Sequence, residues 1–135
     1  MNLPRLILTL AESRIEALVA RSEEDREQGL MECRSLGPDE GMLFVQDEAK
    51  EACFWMKDTP LDLSVAFIDE QGRILNVEDM EADSLESKCA AGPARYVLEM
   101  RLGWFGEHGI RAGDTIEGLP PLEGVTPPAS PAAAA

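Results

Sequence analysis

The sequence predicts an α+β domain that is mostly β: a small antiparallel, barrel-like sheet with one or two short helices. Three observations carry this. Short apolar runs rich in β-branched residues recur along the chain with period-two patterning. Gly, Pro and Asp punctuate them at short intervals. Helical signals occur in two places only, and both are brief. The chain has 135 residues, which suits one domain around one core. Residues 1–118 are read as that domain.

The elements follow in order. Residues 6–10, LILTL, are a short apolar run, and residues 14–20, RIEALVA, alternate apolar and polar as a half-buried strand does. The intervening AES is short enough for a hairpin. SEEDREQG then carries a helix start and stop. Ser22 can cap the N-terminus, three acids occupy the first turn where the helix dipole favours them, and Gly29 ends it. The predicted helix is Glu23 to Gln28. SLGPDEG is a loop, MLFV (42–45) a buried strand and QDEAKE an acidic loop. CFWMK and LSVAFI read as two further strands with DTPLD between them, DEQG as a turn, and RILNVEDM as the returning strand of a meander. EADSLESKCAAGP is a polar loop. RYVLEM is a strand with Tyr96, Leu98 and Met100 on one face. LGWFGEHG holds one helical turn, with Trp104 and Phe105 capping the core and His108 near the helix C-terminus. IRAGDTI turns sharply into a last strand. Residues 119–135 are dominated by Pro and Ala, bury little, and are expected to be disordered.

Charge narrows the function. The formal charge is −14, from 26 acidic and 12 basic residues. Phosphate contact needs clustered Lys and Arg, so nucleic acid is not an expected partner, nor is an anionic membrane surface. No apolar stretch is long enough to span a bilayer, and the start, MNLPRLILTL, lacks the length of a secretory signal. The chain is read as cytoplasmic, or periplasmic if the true start lies upstream. Cys33, Cys53 and Cys89 are odd in number and lack CxxC spacing, which favours reduced thiols over a disulfide framework.

One run concentrates chemistry. FWMKDTP, residues 54–60, joins two aromatics, a Met, a cation, a carboxylate and a hydroxyl. As a strand it places Phe54, Met56 and Asp58 on one face and Cys53, Trp55 and Lys57 on the other, with the Lys57 stem over Trp55. Trp55, Lys57, Asp58 and Thr59 form the candidate ligand-binding site, and Arg34 joins it as an outlying candidate. The competing reading makes the same residues core, a snorkelling Lys and a polar turn. The expected ligand is a small polar or anionic molecule or a protein. No catalytic residue is assigned: the single His has no placed Cys partner, and no GxSxG, HExxH or P-loop is present. A second reading is an enzyme of unknown reaction type. A third is soft-metal binding, copper above all, by Met42, Cys53, Met56 and Cys89. No cofactor or metal site is expected, since thioethers in strands are packing material more often than ligands.

Read together and in order, QGLM with Arg34, GMLF, FWMKDT, AFID, VLE and GIRAGD resemble the family called domain of unknown function 192, over roughly residues 15 to 116. The resemblance implies a compact β-rich α+β domain and no established activity. It also implies departures at this chain's Asp58, where the family often has Asn, and at Asp62 and Ser64, where Pro and Asp are frequent. Many relatives carry an export signal that this chain does not show. GIRAGD separately resembles the Gly-Asp turn of cradle-loop barrels, with Gly113 at positive φ and Asp114 accepting nearby backbone N–H groups.

Overall fold

The structure is a computed structural model that describes residues 3–31, 33 and 35–120. The candidate Arg34 and most of the Pro/Ala tail therefore lie outside the described residues. Nine strands and two helices are present among them: β1 (Arg5–Leu10), β2 (Ser13–Ala20), α1 (Glu23–Gln28), β3 (Glu40–Lys50), β4 (Cys53–Phe54), β5 (Leu63–Ile68), β6 (Ile74–Met80), β7 (Lys88–Cys89), β8 (Ala94–Arg101), α2 (Trp104–Glu107) and β9 (Ile116–Glu117). Seven strands form one curled, half-barrel sheet in the order β6-β5-β8-β3-β2-β1-β9. β4 and β7 pair separately as a two-stranded ribbon. The mostly-β α+β class read from the sequence is the observed one.

Local signals explain the helix and several turns. Ser22 adopts an extended conformation and its side chain accepts the Asp25 N–H at 3.0 Å, and Gly29 ends α1 at φ 49°. Gly113 turns at φ 98° and Asp114 Oδ2 accepts the Arg111 N–H at 3.0 Å. That is the turn chemistry expected of GIRAGD.

Four sequence readings are corrected. The strands do not run as a meander, because β8 inserts between β5 and β3. The sheet is antiparallel at every pair but one: β2 and β3 are parallel, with α1 in the crossover that parallel neighbours require. QDEAKE is not wholly a loop, since β3 runs on to Lys50, irregular in register between Val45 and Lys50. CFWMK is a strand only at Cys53 and Phe54 before it bends away.

Curling gives the sheet two buried faces, and the period of two sorts residues between them. One face collects Leu8, Ile15, Leu43, Tyr96, Leu98 and Met100, closed by Trp104 and Phe105 of α2. The other collects Met42, Phe44, Leu63, Val65, Phe67 and Val97, covered by Leu30 after α1 and by Met56 beyond the ribbon. This is why β5 is buried at all six positions and why RYVLEM is buried throughout. Leu119 packs on the first face and the Tyr96 hydroxyl donates to the Pro120 carbonyl at 3.1 Å, so the fold holds the chain as far as the described residues go.

Candidate ligand-binding groove

The second face is not covered completely. Between α1 on one side and the segment from Ala52 to Lys57 on the other lies an open groove of about 700 Å³. Its floor is sheet: Phe44 from β3 and Glu99 from β8. Its walls carry Leu30 and Met31 on the helix side and Phe54, Trp55 and Met56 on the ribbon side. Gly29 belongs to the wall because α1 ends hard against Phe44; a Cβ there would lie 3.3 Å from the Phe44 ring.

The ribbon wall is stapled in place. Cys53 and Cys89 face each other in β4 and β7 with Cα atoms 4.0 Å apart, and a disulfide joins them. The reading of three reduced thiols is thereby corrected: only Cys33 is free. Count and spacing misled because a lone bridge needs no motif, only two strands that bring their Cβ atoms together. The soft-metal set falls with it, since two of its four members have no thiolate to offer. Among the described residues no group of three His, Cys, Asp or Glu is placed to hold a metal ion.

The residues singled out in FWMKDTP separate at this point. Phe54 and Met56 point inward and Trp55 and Lys57 outward, as alternation required. Trp55 is 48% exposed, and Lys57 Nζ sits 5.6 Å from the centre of its ring. Both line the groove at its lip. Lys57 and Asp58 are the central residues of a tight turn closed by Thr59 N–H to Met56 O at 3.1 Å. Asp58 occupies its second position at φ 56°, faces solvent, and is not part of the groove wall. Thr59 lines the groove but is buried, and its hydroxyl donates to the Lys57 carbonyl at 3.2 Å. The turn is tied to the neighbouring loop by Met56 N–H to Ser84 O at 3.0 Å and Asp83 N–H to Thr59 O at 2.9 Å.

Other charges in the groove are engaged or peripheral. Arg26 donates to the carbonyls of Arg21 and Val45 and to both carboxylate oxygens of Asp47. Lys50 and Glu51 stand where β3 gives way to the ribbon. Glu99 is different. It lies at the floor, 4% exposed, and burial alone pushes its carboxyl up to about 8. In the sequence VLE is part of the family resemblance only, and no role is expected of its Glu. The signal was there: one carboxylate inside the otherwise apolar YVLEM.

Comparison with known proteins decides the family. Residues 6–118 match the family model of domain of unknown function 192, described as "Uncharacterized ACR". The chain belongs to that family. Among solved structures of similar fold, a candidate transcription regulator from Sinorhizobium meliloti 1021 is 35% identical, with a TM-score of 0.79 over 84% of this chain and 92% of that one. A protein of unknown function from Novosphingobium aromaticivorans DSM 12444 is 30% identical, with a TM-score of 0.77 over 84% of this chain and 83% of that one. No curated protein matches this domain of unknown function 192 chain. Among the described residues, no helix is long and apolar enough to cross a membrane.

Proposed function

We propose that this domain is a non-catalytic binding module whose groove takes a small amphiphile with an anionic or strongly polar end. The observation that carries this is the groove's make-up: an apolar body lined by Leu30, Phe44, Phe54 and Met56, with Lys57 over Trp55 at its lip. Concave apolar sites with a few convergent polar groups are where small ligands bind. Lys57 has no carboxylate partner among the described residues, so its charge is available to an incoming anion. Regulation of transcription, the role named for the Sinorhizobium protein, is not carried over: a charge of −14 opposes contact with nucleic acid.

Titration with straight-chain alkanoates such as heptanoate tests the reading. Lys57→Glu is expected to weaken binding tenfold or more, and Lys57→Arg much less. Equal affinity of wild type and Lys57→Glu sinks it.

A second reading concerns compartment. The Cys53–Cys89 bridge supports an oxidising setting, because the reducing cytosol keeps such pairs open. One bridged pair and one free thiol do not favour the cytosol. Protein recovered from its native cells and denatured under alkylating conditions should show one free thiol per chain. Three would return it to a reducing compartment.

A further inference from the structure

Glu99 has no partner that would explain a carboxyl group where it stands. Its neighbours across the sheet are Met42 of β3 and Val65 of β5. No hydrogen bond or ion pair reaches its side chain among the described residues, although it is more than nine-tenths buried. A Met of similar length would fill the space without the desolvation cost of a carboxyl. Yet the side chain is not sealed in: it forms part of the floor of the groove.

We propose that Glu99 is the inner recognition group of this groove, donating its carboxyl proton to a neutral oxygen acceptor, a ketone or amide carbonyl, at the buried end of an amphiphilic carboxylate. This deepens the binding reading and rests on it. The acid form is the one the site favours at neutral pH, since burial holds the proton on up to about pH 8. The charged groups sharing the groove are Glu23, Arg26 and Glu27 of α1, Lys50 and Glu51 at the end of β3, and Lys57 in the turn. An ammonium ligand would have to leave water, pass Lys57 and enter apolar walls. A carbonyl loses far less on the same path and leaves the ligand's own anion at the lip. The recognised class is therefore an oxo- or amido-carboxylate with an aliphatic or aromatic middle.

The test uses terminal methyl-ketone acids, from 5-oxohexanoate to 9-oxodecanoate, against plain alkanoates of matching length. Binding is followed by calorimetry in wild type, Glu99→Gln and Glu99→Met between pH 6.5 and 9.5. At pH 6.5 wild type is expected to prefer at least one oxo acid by about tenfold. That preference should collapse above about pH 8, as the carboxyl loses its proton. Glu99→Gln keeps a donor and should keep the preference without the pH dependence. Glu99→Met should lose the preference while still binding alkanoates. No preference at any chain length in wild type overturns the proposal. So does tighter binding of octylamine than of any oxo acid, rising with pH. If alkanoates bind in a Lys57-dependent way without an oxo preference, the inference fails and the groove reading stands. If neither class binds, both fail.

Discussion

Ser64 and Asp79 stand opposite each other in β5 and β6, and the Ser64 hydroxyl donates to Asp79 Oδ1 over 2.7 Å. The same hydroxyl accepts the Gly103 N–H at 2.9 Å, where the chain enters α2. One buried oxygen thus couples an edge pair of the sheet to the helix that closes the first core. Ser64→Ala leaves that part-buried N–H without its acceptor and should cost about 0.5–1.5 kcal/mol. Urea denaturation should show a lower midpoint at unchanged slope. A variant as stable as wild type would mean that water replaces the hydroxyl.

Glu99 makes stability depend on pH with a definite sign. Its carboxyl sits at about 8 in the fold against 4.5 as an ordinary glutamate, so the folded state binds the proton more tightly. Its contribution is full below about pH 4.5, declines as pH rises, and is gone above about pH 8. The ceiling on this loss is about 5 kcal/mol, and water entering the groove will reduce it. Glu99→Gln should flatten the decline between pH 5 and 8 and be the more stable protein at pH 8. Parallel melting curves for the two proteins across this range would contradict it.

At the acid end other groups take over. Glu40 is held below the usual carboxylate range by the Gly37 N–H and then by Arg5. A depressed carboxyl contributes stability above its unfolded pKa that is lost as pH falls through its folded one.

The disulfide closes a long segment, its two cysteines standing 36 positions apart in sequence. The chain-entropy estimate for such a loop is about 3–4 kcal/mol. Reductant, or the Cys53→Ser and Cys89→Ser pair of changes, should lower the melting temperature by many degrees. Because the bridge anchors only the groove wall, hydrogen exchange should rise first in residues 52–59 and 81–90 and last in β8. Uniform acceleration across the sheet would show that the bridge holds the whole fold.

Asp58 adopts a left-handed conformation, φ 56°, at the second centre of its turn, a position that favours Gly or Asn. Asp58→Gly should leave stability unchanged or raise it by up to about 1 kcal/mol. Asp58→Val should lower it by about 1–2 kcal/mol. Thermal melts of the two variants suffice, and the opposite order would show that the Asp side chain matters more than its backbone.

Lys57 is exposed, and its contact with Trp55 at 5.6 Å is worth about 0.5–1 kcal/mol at most. Lys57→Ala should therefore melt within about two degrees of wild type. A drop of many degrees would make this lysine a structural residue and remove it from the binding site.

What was legible in the sequence were features fixed by near neighbours. Ser22 and Gly29 bounded α1 correctly because capping is local. LSVAFI was found at its true limits because a strand buried on both faces has to be continuously apolar. The alternation of Phe54, Trp55, Met56 and Lys57 gave the right facing even though the strand itself stops at Phe54. Pairing was not legible: nothing near β8 states that β3 and β5 flank it. The bridge was missed for the same reason, since Cys53 and Cys89 meet only when two short segments from separate loops pair. Glu99 acquires its character from Met42 and Val65, which belong to other strands.

The strand order also sets a timetable. β8 lies between β3 and β5, and the first strand, β1, has the last, β9, as its outer neighbour. A chain leaving the ribosome cannot complete this sheet in the order of synthesis. β3 has β2 beside it and β5 has β6, but the two groups stay apart until residues 94–101 arrive between them. Pairings of such wide separation fold on millisecond-to-second scales rather than microseconds. Until β8 emerges the sheet exists only as two separable halves, accessible to a chaperone or an export machine, and it closes only once residues 94–101 are available.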